Sequence, residues 1–193
     1  MPDLRHTEIE HKYVVDGQFD LPRFRDVLAS LSPVRTTAIR VRDRYFLTEG
    51  GRARRFLVRH RYDAEIHQLT IKALEEDTET RTEINLDLGQ HAGSQDAAVD
   101  AFVDQLGVVW RGTLQKDLEA WYFADCEVVH YVASTDGREV RCVEFEATRK
   151  DSLAGALDIV RRFEQLTGFQ GLTRSRLSLP QLLFPELRDA LER

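Results

Sequence analysis

Three short segments of this chain set ionised side chains two residues apart: Glu8, Glu10 and Lys12 in "EIEHK", Arg59 and Arg61 in "RHR", and Glu144 and Glu146 in "VEFEA". In an extended strand, side chains two apart share a face, so each segment presents its charges together. Glutamate supplies only carboxylate oxygens, which suit a hard cation such as Mg2+ or Mn2+ rather than zinc. Arginine grips phosphate through paired hydrogen bonds, and lysine meets it as a point charge. Lys72 in "LTIK" and Arg81 and Glu83 in "RTEIN" extend the set. Glu83 is expected to orient a basic neighbour, with a second metal position as the alternative. Arg40, Arg42 and Arg44 share a parity opposite Ile39, Val41 and Tyr45; they are read as further phosphate ligands, or else as a solvated strand exit. His11 and His60 fall on the outward parity of their strands, so no histidine metal centre is expected.

These side chains need strands to hold them, and the pattern supplies strands. After the first one, "TEIEHKYVVD", the stretch "FDLPRFRDVLASLSP" reads as a helix with Asp20 as cap and Pro22 in its first turn. Period-two alternation then marks strands at about 36–47, 53–62, 65–73 and 79–87, with "TEGG" and "YDAE" as turns. A helix in "GSQDAAVDAFVDQLG" precedes strands at 108–119, 121–133 and 138–147. A third helix, "DSLAGALDIVRRFEQLTG", is capped by Asp151 and stopped by Gly168, and a short segment, "SLPQLLFPELRDALER", closes the chain. With 193 residues, a single domain over 1–193 is expected, its strands in about 7–147 and a helical segment in about 151–193.

Composition narrows the function classes. The net charge of −6 argues against a general binder of nucleic acid or of anionic membrane. No apolar run is long enough to cross a bilayer, and the start, Met1-Pro2-Asp3, carries no signal-peptide pattern. Cys126 and Cys142 have neither metal nor redox spacing. They read as free thiols in a reducing cytoplasm, with a cross-strand disulfide as the alternative.

The charged faces are sorted: arginine dominates the middle strands and paired glutamates the first and last. A sheet with one wet side gives alternation too, but not this sorting, and like charges side by side are mildly destabilising. If the charged faces point into a closed barrel with helices over its apolar outside, the interior charges need partners. A polyanion on the basic side, bridged by a hard cation to the acidic side, would supply them.

The ordered set of "EIEHK", "RHR", "LTIK", "RTEIN" and "VEFEA" resembles the CYTH superfamily, the triphosphate tunnel metalloenzymes. The resemblance spans about residues 7–147, with a weaker tail in "RLSLPQLL". It implies an α+β fold built on an eight-stranded antiparallel barrel, packed outside by helices, whose hollow binds triphosphate compounds with a divalent metal. It further implies Glu8, Glu10 and Glu146 as metal ligands with Glu144 close behind, and Lys116 of "LQKDLEA" as the lysine of the sixth strand. That face also carries Leu114 and Leu118, and the arginine often found two residues on is absent. Lys12 would position or deprotonate the attacking water, its pKa lowered by neighbouring cations. The sequence departs from the family at Leu47, where an aspartate is frequent, at His130, near a usual aspartate, and at Leu179, in place of a tyrosine. The activity implied is metal-dependent hydrolysis of inorganic triphosphate or a small organic triphosphate. A class IV adenylate cyclase and a non-catalytic triphosphate or polyphosphate binder are the alternatives. The expected partner is a triphosphate or nucleotide, with neither nucleic acid nor membrane; the oligomeric state is open, a homodimer among the options.

Overall fold

The computed structural model describes residues 4, 6–74, 80–90 and 92–192. Eight strands, β1 (Thr7–Val15), β2 (Arg35–Thr48), β3 (Phe56–Tyr62), β4 (His67–Ala73), β5 (Thr80–Asp87), β6 (Val108–Tyr122), β7 (Cys126–Thr135) and β8 (Arg138–Ala147), close into an antiparallel barrel. Around it they run β1-β5-β4-β3-β2-β6-β7-β8, with β8 returning to β1. Among the described residues six helices accompany them: α1 (Leu21–Ser30), α2 (Glu49–Arg54), α3 (Asp96–Asp104), α4 (Leu153–Thr167), α5 (Leu179–Leu183) and α6 (Pro185–Glu192). This is the α+β barrel that the alternation and the resemblance imply. Position 79, where the fifth strand was expected to begin, lies outside the described residues.

The ladders are uneven. β2 and β6 pair from Arg35↔Tyr122 to Thr48↔Val108, whereas β1 meets β5 only from Thr7↔Thr82 to Ile9↔Thr80. The register also fixes which face looks inward. Directly opposed residues on neighbouring strands point the same way, so Tyr45↔Arg59 and Asp43↔Arg61 put Asp43 and Tyr45 on the same side as the two arginines.

Helices cover the outward apolar faces. On α4, Ala156, Leu157, Val160 and Phe163 recur at helical spacing and bury against Ile9, Tyr13, Val143 and Phe145, together with Phe24 and Leu28 of α1. Burying a side chain of this size stabilises by about 1.5–3 kcal/mol. The cap of α4 is Ser152, whose hydroxyl accepts from the Gly155 N–H at 3.1 Å, rather than Asp151. On the opposite flank α3 sets Val99 and Val103 over Phe46 and Val58. The expected "TEGG" turn is helical: Thr48 caps α2 through the Gly51 N–H at 2.9 Å, and Arg55 ends it in the left-handed region at φ 58°. A Cβ on Gly51 would stand 2.6 Å from the Phe56 carbonyl oxygen, so the chain folds back here only with glycine.

α5 and α6 do something different. Their Leu179, Leu183, Phe184 and Leu187 pack against inward-facing Leu47, Leu57, Leu114, Ala133 and Cys142. They plug one end of the barrel with an apolar core. Both cysteines are free and buried. No helix among the described residues is long and apolar enough to cross a membrane.

Candidate functional site

Beyond the plug, the barrel's inward faces turn from apolar to charged, and a cavity of about 670 Å3 remains. Glu8, Glu10 and Lys12 of β1, Arg59 and Arg61 of β3, Lys72 of β4, Glu83 of β5, Lys116 of β6, and Glu144 and Glu146 of β8 all line it. Tyr45 and Tyr131 stand where the plug gives way to the charges. The opposite mouth is framed by Arg35, Glu65, Tyr122 and Glu127, with Ile39, Ile66, Leu118 and Val129 just inside.

The acidic and basic groups hold one another. Lys72 bridges Glu8 at 2.7 Å and Glu83 at 3.1 Å; Lys12 reaches Glu144 at 3.0 Å and Glu10 at 3.4 Å. Arg59 donates to Thr70 Oγ1 at 3.1 Å and stands 3.5 Å from Glu83, while its Nε is buried without a hydrogen-bond partner. Arg81 bonds Glu10 at 3.1 Å but lines a neighbouring cavity and not this one. Lys150, just past β8, reaches Glu146 at 3.3 Å, and the Tyr131 hydroxyl donates to Glu144 at 2.7 Å.

Three of the expected arginines are elsewhere. Arg40, Arg42 and Arg44 point out of the barrel: Arg40 pairs with Asp117 at 2.6 Å, Arg42 with Asp96 at 2.9 Å, and Arg44 with Asp96 and Asp100 under α3. Their assignment as phosphate ligands is therefore corrected. On β2 the inward side is the apolar-looking one, Ile39, Val41, Asp43 and Tyr45, because Arg59 and Arg61 on β3 fix it. Reading β2 alone hides this; pairing it with β3 reveals it. The same correction uncovers Asp43, which is 0% exposed. Arg61 donates to its carboxylate at 2.7 and 2.8 Å, and Lys116 stands 2.8 Å away. Asp43 aims two cations into the cavity from beneath. Glu127, Tyr131 and Lys150 were also missed; only the parity of the seventh strand pointed to the first two.

The departures from the family pattern have structural places. Leu47 and Leu179 belong to the plug, and His130 looks outward, stacked on Phe19 at 5.9 Å. His11 is likewise outside the lumen, accepting from Arg174 at 2.6 Å and facing Glu164 at 2.5 Å.

Electrostatics divides the lumen. Burial raises Glu8 well above the usual carboxylate range, reinforced by Glu10 although Lys72 opposes it. Burial raises Glu146 too, to about 7; Lys150 works against the shift, and the charge of Glu10 adds to it. For Glu10 burial is outweighed by Lys12, Lys72 and Arg81, which hold it down to about 2. Burial pushes Lys116 down to about 8, helped by Arg61 and resisted by Asp43. Lys12 goes the other way: burial would lower it, but Glu10 and Glu144 outweigh burial and raise it. The expectation of a Lys12 made basic by neighbouring cations is corrected accordingly. It is an ammonium, held by carboxylates.

Among the described residues no three His, Cys, Asp or Glu side chains stand close enough together to grip a metal ion as they are. The donor chemistry nonetheless fits a hard divalent cation. Glu10 and Glu146 face each other across β1 and β8, and Glu8 Oε2 is buried with no hydrogen-bond partner. An added positive charge would satisfy that oxygen and offset the burial and the neighbouring carboxylate charge that raise Glu8 and Glu146.

No family model and no curated protein matches the chain. Solved structures do. PH1012 protein from Pyrococcus horikoshii OT3 superposes with a TM-score of 0.72 at 14% identity, over 91% of this chain and 99% of that one. A proposed adenylate cyclase from Bacillus halodurans gives 0.59 at 18%, over 93% and 99%. HpAC1 from Hippeastrum, an adenylyl cyclase candidate described as having a dominant triphosphatase activity, gives 0.53 at 14%, over 86% and 92%. At such identities the likeness is one of fold, and the chain has that fold: the closed eight-stranded antiparallel barrel implied by its resemblance to the CYTH superfamily.

Proposed function

We propose that this protein is a metal-dependent triphosphatase acting on inorganic triphosphate or a small organic triphosphate inside the barrel. One observation carries the reading: Arg59, Arg61, Lys72 and Lys116 face Glu8, Glu10, Glu144 and Glu146 across a single cavity. Buried charge on this scale is costly for a merely structural interior, and it suits a ligand that is itself a string of anions. The carboxylates of Glu8, Glu10 and Glu146 would hold Mg2+ or Mn2+, which supplies charge neutralisation for the phosphate oxygens.

The chain's own residues do the rest. Arg61 and Lys116, held from below by Asp43, grip phosphate oxygens with Arg59 and Lys72. Phosphoryl transfer needs positioning and charge stabilisation more than covalent help. Lys12, charged and 3.0 Å from Glu144, orients the attacking water and neutralises the developing charge. Glu144 accepts the water's proton. A bond forms from the water oxygen to the terminal phosphorus, the bridging P–O bond breaks, and its electron pair leaves on the diphosphate.

The apolar collar of Ile39, Ile66, Leu118 and Val129 with Tyr122 at the open mouth favours an organic triphosphate over the bare chain. It also keeps the cyclase reading alive, in which a ribose 3′ oxygen attacks instead of water. Purified protein with Mg2+ or Mn2+ is expected to release orthophosphate from tripolyphosphate or ATP, with Lys12→Ala slowing release. Cyclic AMP from ATP would select the cyclase. Tight tripolyphosphate binding without turnover would select the non-catalytic binder, and neither binding nor turnover would overturn all three.

A further inference from the structure

Tyr131 has its ring in one part of the barrel and its hydroxyl in another. The ring shares the apolar core of the plug with Leu179 and Leu183, and the residue is 2% exposed. The hydroxyl reaches past the plug and donates to Glu144 Oε1 at 2.7 Å. Strand register makes this reach possible. Lys12 opposes Glu144 directly across β1 and β8, while Tyr131 opposes Cys142, two residues before Glu144 on β8. Diagonal neighbours of that kind on one face lie within reach of an aromatic side chain. Glu144 is therefore gripped from both flanking strands, by the Lys12 ammonium at 3.0 Å and by the Tyr131 hydroxyl.

Both contacts fall on the same oxygen, Oε1. Two donors already meet that atom, so the water's proton is left to Oε2. The ammonium alone would not select between the two oxygens: Lys12 also reaches Glu10 at 3.4 Å, and its three donors turn freely on a flexible stem. A phenol carries one donor on a rigid ring, and an anchor in the core keeps that donor in place. Lys116 Nζ stands 5.5 Å from the centroid of the same ring, within the range of a cation–π contact. Tyr131 thus spaces a cation that grips phosphate from the carboxylate that takes the proton. A buried tyrosine needs some partner for its hydroxyl, but that need alone does not call for the carboxylate that meets the attacking water.

We propose that Tyr131 is a positioning residue for hydrolysis: it pins Glu144 through Oε1 so that Oε2 takes the proton of the attacking water. The role rests on the triphosphatase reading. As the water oxygen bonds to the terminal phosphorus, its proton passes to Oε2, and the bridging P–O bond breaks with its electron pair on the diphosphate. Tyr131 gives up no proton in that step and touches no reacting atom; it acts through Glu144.

Y131F removes the hydroxyl and keeps the ring, so the plug and the contact with Lys116 stay in place. With tripolyphosphate and Mg2+, kcat should fall roughly tenfold, because a misplaced base loses part of what general-base catalysis contributes. KM, and tripolyphosphate affinity by calorimetry, should stay within about twofold. A double-mutant cycle separates positioning from structure. E144Q has no base left to place, and its slow residual rate comes from charge stabilisation. Adding Y131F to it should change that rate by less than about twofold. An unchanged kcat in Y131F overturns the proposal. So does a tenfold loss that recurs in the E144Q background, which would make the hydroxyl a structural contributor only. A loss of affinity as large as the loss of kcat would put its effect on the phosphate grip and overturn the proposal too. If the unaltered protein releases no phosphate, the triphosphatase reading fails and this role falls with it; turnover that Y131F leaves undiminished sinks the role of Tyr131 alone.

Discussion

The two ends of the barrel lumen are made by the same strands with the same inward parity, and they have opposite contents. On β3, Leu57 enters the plug and, two and four residues on, Arg59 and Arg61 enter the cavity; on β6, Leu114 and Lys116 divide in the same way. Alternation fixes which side chains share a face, and the register between strands fixes which face looks inward. What they look at is settled by α5 and α6, which fill the apolar end and leave the ionised one hollow. The plug is a core, kept for stability. The charged end is costly to the fold and, on the proposed reading, serves a ligand, so damage at the two ends should be separable.

Asp43 sits where that separation is most strained. Asp43→Ala would leave Arg61 and Lys116 buried without their counter-charge and is expected to cost about 3–5 kcal/mol of folding stability, read from urea unfolding. Tripolyphosphate should restore more stability to this variant than to the parent, since its anionic oxygens replace the missing carboxylate. A loss under about 1 kcal/mol would mean that solvent already screens the two cations.

In the plug, Leu183→Ala should cost about 3 kcal/mol through lost burial and a residual cavity, with tripolyphosphate affinity in the surviving folded protein little changed. Arg59→Ala inverts that outcome. Its buried, unpartnered Nε makes it a poor contributor to stability, but its loss should weaken tripolyphosphate by about 2 kcal/mol, roughly thirtyfold, by calorimetry. If both variants lost stability and affinity alike, the two ends would form one cooperative unit and the division drawn between them would fail.

A smaller effect titrates. Lys116, lowered to about 8, binds an anion in its protonated form. Affinity should therefore fall as pH rises through that value, by up to about tenfold per unit. Lys116→Met should bind more weakly throughout and lack this step. A step that persists in Lys116→Met would belong to another group.

How much of this was legible follows the same physics. On the first, third, fourth, fifth and eighth strands the charged parity is also the inward one, so each strand read alone places its charges on the cavity: Glu8, Glu10 and Lys12; Arg59 and Arg61; Lys72; Glu83; Glu144 and Glu146. Arg81 is the exception, lining the neighbouring cavity instead. β2 breaks the rule because three arginines decorate its outside, where Asp117, Asp96 and Asp100 meet them. A strand's alternation is symmetric under exchange of its faces, and only the register with a neighbour lifts the ambiguity. The pKa of Lys12 was misjudged for a related reason. Which cations and carboxylates are nearest depends on pairing across β1 and β8, where Lys12 opposes Glu144 directly. The helix of "EGGRAR" was unreadable because two glycines lower its propensity, while the Thr48 cap and the close approach of Gly51 to Phe56 that favour it are set by the returning chain.

Arg40 offers the cleanest test of the corrected β2. It lies outside the barrel, bonded to Asp117 on the neighbouring strand at 2.6 and 3.1 Å, with both side chains well exposed to water. Such a pair contributes little, and salt screens it. Arg40→Ala should therefore leave tripolyphosphate affinity and turnover where they were, at low and high ionic strength alike. Were it to weaken binding as Arg59→Ala does, the arginine face of β2 would belong to the ligand after all. The inward assignment of Asp43, and with it the account of how Arg61 and Lys116 are held, would then have to be given up.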